Sequence, residues 1–121
     1  MNERPIDRAR NHFTNEVIGD LKSLEVEEWG DDKGPMVIYY YPKMNFAQQR
    51  KIGELLEKGD RAEALCQQLI YRALNQEKKP LFAQGEMREL MHSVDPDIIL
   101  NICNRMAVDD QDFSIDEIEK N

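Results

Sequence analysis

The spacing of apolar residues along the chain changes from a helical period to a strand period and back. Near the N-terminus, apolar side chains recur every three or four positions, at Ile6, Ala9, Phe13, Val17 and Leu21. This spacing predicts an amphipathic helix over residues 5–22. Pro5 suits its first turn, because the N–H that proline lacks would have no helical partner there. We expect this leading helix to form part of the core.

From residue 24 the apolar positions alternate with polar ones, as they do in a β-strand. Leu24 and Val26 alternate with glutamates and lead to Trp29, and the run MVIYYY follows the loop GDDKGP. Two such runs joined by a loop rich in glycine and aspartate predict a β-hairpin over about 24–41. Both faces of its second strand are apolar or aromatic. One face can therefore pack on helices, and the other is a candidate contact surface.

The middle of the chain carries helix start and stop signals. Asn45 with Gln48, and Asp60 with Glu63, have the spacing of capping boxes. Gly59 suits the left-handed position that ends a helix. Two helices joined through Gly59-Asp60, the second over 61–76, are expected to fold as an αα-hairpin. Their apolar stripes are interpreted as core: Phe46, Ile52, Leu55 and Leu56 in the first, and Ala62, Leu65, Cys66, Leu69, Ile70, Ala73 and Leu74 in the second.

Two shorter patterns complete the body of the protein. Pro80 breaks the chain and is followed by a short predicted helix over about 84–92. Asp95 as a cap and Pro96 at the first helical position then open a last helix. The sequence thus predicts an α+β fold that is mostly α. It has a single helical domain of about five helices with one N-terminal β-hairpin over 1–108, and a flexible acidic tail over 109–121.

The negative charge is concentrated in that tail. The formal charge of the chain is −8, and residues 109–121 carry six acids against the single base Lys120. Such a segment buries too little apolar surface to order alone. It is either a solubilising terminus or a connector that orders on a partner through Phe113, Ile115 and Ile118. The nearly balanced body has no dense basic patch, so nucleic-acid binding is not expected.

The composition also argues against a membrane protein and against export. No apolar run approaches the roughly 20 residues that a membrane span needs. The basic N-terminus has no apolar segment behind it, as a secretory signal would. A cytoplasmic protein is the expected default.

A search for reactive groups finds no arrangement typical of an enzyme. His12 and His92 lie far apart, and neither has a partner at metal-ligand spacing. Cys66 and Cys103 stand among apolar residues and are interpreted as reduced, buried thiols. We therefore expect no catalytic, cofactor-binding or metal-binding residues. The candidate partner-binding residues are Trp29, Tyr39 and Tyr41 in the hairpin, and Phe113, Ile115 and Ile118 in the tail.

Most of the chain, residues 24–121, resembles the tail assembly chaperones of long-tailed, lambda-like bacteriophages. The matching stretches are LEVEEWGDD followed by IYYYPKMNFAQQRKI, then AEALCQQLIYRALNQEKKPLFAQGEMRELM, and the closing DEIEKN. KKPLF before a short helix is the most recognisable part. Two features depart from the family: Ala83-Gln84 replaces the usual Ser, Thr or Asp cap, and helix 5–22 has no mapped counterpart.

The resemblance implies a non-enzymatic role without cofactors. Proteins of this kind keep the tape-measure protein soluble, recruit tail-tube subunits in the host cytoplasm, and are absent from the mature virion. They self-associate, and many have a longer form made by ribosomal frameshifting, here expected near Lys120-Asn121. One alternative is an acidic regulator that mimics nucleic-acid charge and blocks a DNA-binding protein. Another is a small enzyme with an unusual site. The concentration of negative charge in the tail argues against the regulator, and the lack of titratable clusters argues against the enzyme.

Overall fold

A β-hairpin followed by helices forms the part of the chain that the computed structural model describes, residues 3–19 and 21–107. The order is α1 (Pro5–His12) continued by a π turn (Phe13–Ile18), β1 (Lys22–Asp31), β2 (Gly34–Tyr40), α2 (Phe46–Glu57), α3 (Arg61–Arg72), a 3-10 turn (Gln84–Glu86), α4 (Met87–Ser93) and α5 (Pro96–Ala107). The predicted class, mostly helical with one N-terminal hairpin, is confirmed. The predicted tail, 109–121, lies outside the described residues. Every described helix is too short or too polar to cross a bilayer.

The helix starts agree with the local signals in the sequence. The Asn45 side chain accepts a hydrogen bond from the Gln48 N–H at 2.9 Å, and the Gln48 side chain accepts one from the Asn45 N–H at 3.2 Å. This is the predicted capping box. Asp60 caps α3 by accepting from the Glu63 N–H at 3.1 Å. Each cap satisfies backbone donors that a helix start leaves without partners.

The turn between α2 and α3 depends on Gly59. Its φ of +79° is the left-handed conformation that glycine adopts without a steric penalty. The N–H groups of Gly59 and Asp60 donate to the carbonyls of Leu56 and Leu55, both at 2.9 Å. This pair of bonds is the Schellman arrangement, and it turns α3 back along α2 as predicted.

The hairpin pairs regularly near its base and bulges near its turn. Leu24 faces Ile38 and Val26 faces Met36, but the next pair is Asp31 with Gly34. Residues 27–30 of β1 therefore oppose Pro35 alone, which is a large β-bulge. Gly30 lies so close to β2 that a Cβ there would be 2.5 Å from the Gly34 carbonyl oxygen, so only glycine fits.

The core lies between one face of the hairpin and helices α3, α4 and α5. Ile38, Leu69 and Met106 are 0% exposed and mark its centre. Other buried members are Leu24, Val26, Tyr40, Cys66, Ile70, Ala73, Leu90, Ile99, Ile102 and Cys103. One face of the hairpin is thus buried against the helices, as predicted; it is the face of Leu24, Val26, Ile38 and Tyr40. Helix α3 buries most of its predicted stripe.

The leading segment forms the predicted helix from Pro5, but this helix ends earlier than predicted and α1 lies outside the core. The helix ends at Ile18, where the Gly19 N–H bonds to the Thr14 carbonyl in a π turn, and β1 begins at Lys22. Helix α1 buries no side chain, and Ile6 is 60% exposed. Periodicity shows which residues share a face, but another element must still cover that face. Here the hairpin, α3 and α5 pack against one another and form the core without α1.

Two other expectations need correction. Helix α3 ends at Arg72, four residues early, because Ala73 is extended and Leu74 pairs with β2. In α2 the predicted core stripe is only partly buried. Leu55 is 3% exposed, whereas Phe46 is 89% and Leu56 51% exposed. Part of α2 therefore contacts α3, whereas Phe46 and Leu56 face outward.

Candidate protein-binding surfaces

The outward face of the hairpin remains partly open. Val37 is 37% exposed and Tyr39 is half-buried, whereas Ile38 and Tyr40 on the other face are buried. The backbone of Tyr39 bonds to Leu74, with its N–H donating at 2.9 Å and its carbonyl accepting at 2.7 Å. Leu74 therefore covers the edge of β2 that faces away from β1. Tyr39 is held rigidly with part of its ring accessible, which suits a contact residue.

A buried arginine fixes the point where the hairpin leads into α2. Arg72 is only 3% exposed, and its Nη2 donates to the carbonyls of Tyr41 at 2.8 Å and Pro42 at 3.1 Å. Its guanidinium also lies 5.5 Å from the centre of the Tyr40 ring. A buried charge is tolerated only with such compensation. Arg72 thereby positions Tyr41, which is half-buried. Sequence reasoning missed this role because the partners lie about 30 residues away.

Trp29 packs against the segment that follows Pro80. The Trp29 and Phe82 rings meet edge to face, with centroids 5.9 Å apart and planes at 68°. Both side chains are half-buried at the margin of the core, as are Met36 and Met87. This edge-to-face contact connects the bulged part of β1 to the KKPLF segment. Trp29 is therefore part core and part surface.

A pair of amides holds the 3-10 turn that follows the KKPLF segment to α3. Gln67 is 2% exposed and exchanges two hydrogen bonds with Gln84, each 2.8 Å long. Satisfying both groups removes the penalty of burying an amide. The Ala83 N–H donates to Glu86 at 2.7 Å. Glu86 thus satisfies a backbone donor at a helix start whose cap residue has no side-chain oxygen, and Gln84 serves as a tertiary contact.

The outer edge of β1, away from β2, is joined to α5 by Arg105. Arg105 donates from Nη1 to the Glu25 carbonyl at 2.8 Å, across a sequence separation of 80 residues. Beside this bond, a cleft of about 250 Å³ lies between β1 and the first turns of α5. We call it the β1–α5 cleft; it is lined by Val26, Glu28, Asp95, Asp97, Ile98, Asn101 and Arg105. Sequence reasoning gave no indication of it.

The two cysteines are free and lie within the core. Burial raises the pKa of the Cys103 thiol to about 12, and its Sγ lies 3.4 Å from the Leu65 carbonyl as a donor. Burial, with smaller contributions from Glu63 and Asp60, also raises the pKa of Cys66. Nucleophilic and metal-binding cysteines are thiolates, so these environments oppose both roles. Within residues 3–19 and 21–107, no cluster of three potential metal ligands occurs.

The structure does not gather the predicted contact residues into one site. Trp29 contacts Phe82, Tyr39 lies on the outward face beside Leu74, and Tyr41 lies at the hairpin exit. Phe113, Ile115 and Ile118 lie outside the described residues. Apolar groups that sequence reasoning assigned to the core, Phe46, Leu56 and Ile6, are instead exposed. The geometry therefore shows several separate, partly exposed apolar and aromatic surfaces around one core.

The fold is similar to that of a phage assembly protein of known structure. The structure of the bacteriophage HK97 tail assembly chaperone aligns with 82% of this chain and 91% of its own, with a TM-score of 0.53 and 13% sequence identity. At this identity the likeness establishes a shared fold. No protein-family model matches the sequence, and no curated protein matches it. The resemblance to tail assembly chaperones is thus confirmed for the fold.

Proposed function

We propose that the chain is a tail assembly chaperone of a long-tailed, lambda-like bacteriophage. It binds the tape-measure protein, keeps it soluble and recruits tail-tube subunits, with no catalytic step. The observation that carries this proposal is the fold shared with the HK97 tail assembly chaperone over 91% of that protein. The partners and the place of action, the host cytoplasm, come from the family resemblance of the sequence.

The exposed apolar side chains fit a protein that binds client segments reversibly. Phe46 is 89% and Leu56 51% exposed, although both belong to a helix that is capped at each end. A protein in solution gains nothing in stability from displaying such groups on an ordered helix. Apolar residues held ready at a surface are typical of interaction sites. The same groups suit self-association, which we include in the proposal.

The family resemblance adds a genetic expectation to the proposal. A frameshift near Lys120-Asn121 would join this chain to a second region that engages tube subunits. The gene should then contain a slippery sequence at these codons and an overlapping downstream reading frame. If the gene has neither feature, no longer form is made, and the proposed chaperone function belongs to this chain alone.

Deleting the gene from the phage or prophage that encodes it tests the function directly. We expect electron microscopy of lysates to show heads without tails, and a plasmid copy of the chain to restore the tails. A variant with Phe46→Ser and Leu56→Ser should fold normally but complement poorly. Normal tails in the deletion strain would refute the proposal. Altered transcription with intact tails would favour the acidic regulator.

A further inference from the structure

The outer edge of β1 presents backbone hydrogen-bonding groups that pair with no other strand in the described part of the chain. Both backbone groups of Tyr39 bond to Leu74, so they point away from β1. Ser23 lies directly opposite Tyr39 in the antiparallel ladder. Residues opposite each other in such a ladder either exchange both bonds or exchange none. The N–H and carbonyl of Ser23 must therefore point outward, and the same holds two residues on, at Glu25.

The hydrogen bond from Arg105 confirms that the Glu25 carbonyl points outward. It also shows that this edge of β1 accepts a donor from outside the hairpin. Nη1 of Arg105 donates to the Glu25 carbonyl at 2.8 Å, as the N–H of a neighbouring strand would. Within residues 3–19 and 21–107, no strand other than β2 pairs with β1. An unpaired edge of this kind is a template for an added strand. Arg105 thus occupies one position that an added strand would use.

The β1–α5 cleft lies where the inward side chains of an added strand would fall. Successive side chains of a strand point to opposite faces, so every second one would enter the cleft. Its floor includes Val26 and Ile98, and Glu28, Asp95 and Asp97 supply carboxylates. An aliphatic stem with a positive head matches this combination, because the stem covers apolar surface while the head stays near the carboxylates and water.

The negative charge of β1 determines which kind of segment can pair with its outer edge. Residues 22–28 of β1 carry three glutamates against Lys22, so a second copy would place like charges opposite each other. The segment 109–121, with six acids and one base, is unsuitable for the same reason. An extended segment of another protein with a lysine or arginine over the cleft is complementary in both backbone and charge.

We propose that the outer edge of β1 binds an extended, basic segment of a partner protein by strand addition. The backbone groups of Ser23 and Glu25 pair with the segment, and a basic side chain enters the β1–α5 cleft. In the free protein, Arg105 donates to the Glu25 carbonyl. When the partner segment binds, a backbone N–H of that segment replaces Arg105 as the donor. The proposal deepens the chaperone function and rests on it, because it defines the chemistry of the client segment.

A titration of the full 121-residue chain with synthetic peptides tests the edge. The probe is a nine-residue peptide of alternating threonine and valine with a central arginine; the matched peptide has glutamate at that position. Amide NMR signals of Ser23 and Glu25 should shift with the arginine peptide. The glutamate peptide should bind at least about tenfold more weakly, because it brings a like charge to the cleft. Equal binding of both, or shifts confined to other surfaces, would overturn the proposal.

Three variants locate the contact, with one control. Ser23→Pro removes an outward N–H that the hairpin ladder does not use, so binding should fall at least about tenfold. Glu28→Lys should weaken the arginine peptide severalfold, whereas Glu57→Lys, the same charge change on α2, should not. Arg105→Ala frees the Glu25 carbonyl and removes a positive charge, so binding should strengthen. If Glu28→Lys and Glu57→Lys act alike, or Arg105→Ala weakens binding, the assignment is wrong.

Two sets of spectra, recorded without peptide, test whether a second copy of the chain or the segment 109–121 binds this edge instead. Shifts of Ser23 and Glu25 that grow with protein concentration would assign the edge to a second copy. Shifts of these amides on removing residues 109–121 would assign it to the tail; either result would overturn the proposal. A chain that restores tails in the phage but ignores the peptide refutes strand addition alone. A chain that binds the peptide but restores no tails refutes the chaperone function alone.

Discussion

Replacing Leu69 by alanine measures how much the core depends on α3. Leu69 is 0% exposed and lies in the core with Ile38 and Met106. The change removes three carbon groups, worth about 0.8 kcal/mol each for transfer alone, or about 2.4 kcal/mol. Unfilled space adds to this, and buried leucines lose about 2–5 kcal/mol in such changes. Leu56→Ala on α2 is the matched control: its side chain is 51% exposed, so we expect a loss of about 0.5 kcal/mol or less.

Urea unfolding of the two variants gives the comparison. Circular dichroism follows the helices, and fluorescence of Trp29, the single tryptophan, follows its contact with Phe82. With an m-value of about 1–3 kcal/mol/M, Leu69→Ala should lower the midpoint by about 1 M or more. A loss below about 1 kcal/mol, or equal losses for Leu69→Ala and Leu56→Ala, would show that the core has been assigned to the wrong face.

Three further changes test other parts of the structure. Arg72→Met leaves the carbonyls of the half-buried residues Tyr41 and Pro42 without this donor and should cost about 2–5 kcal/mol in the same assay. No loss would contradict the anchoring role. In a Cys66→Ser background, a thiol reagent at pH 8 should label Cys103 only on unfolding. Burial raises the pKa of Cys103 to about 12, so this thiol stays protonated in the native state. Its contribution to the free energy of unfolding is complete below pH 9 and is lost as the pH rises toward 12. Rapid labelling of the native protein would refute this burial. Removing residues 1–12 should change the free energy of unfolding by about 1 kcal/mol or less, because α1 buries no side chain. A larger loss would show that the helix packs on the body.

The features predicted correctly are those set by neighbouring residues. Asn45 and Asp60 cap helices because their side chains reach a backbone N–H three residues on. Gly59 turns the chain because glycine accepts a positive φ. The alternation around Leu24 defined the buried hairpin face for the same reason, since strand geometry fixes which side chains share a face. Such signals need no knowledge of the rest of the fold.

The features that were missed depend on distant partners. The end of α3 is set by the pairing of Leu74 with Tyr39, which no local pattern shows. The buried Arg72 is explained only by carbonyls about 30 residues earlier, and the β1–α5 cleft only by the meeting of Glu25 and Arg105. Helix α1 does have an apolar stripe, but the hairpin packs on the helices of the core, so this stripe is left uncovered. The sequence alone does not show this. One signal was available: Arg72 lies on the apolar side of α3, and an arginine there requires a buried acceptor.

Co-expression of the chain with the tape-measure protein encoded by the same phage tests the central claim most directly. We expect the tape-measure protein to be insoluble when expressed alone. With the chain it should become soluble, and the two should elute together in size-exclusion chromatography with light scattering. The Phe46→Ser and Leu56→Ser variant, with an unchanged melting curve, should recover less of it. A tape-measure protein that stays insoluble, with the chain eluting at the same volume in its presence and absence, would contradict the claim that the chain works by binding this partner.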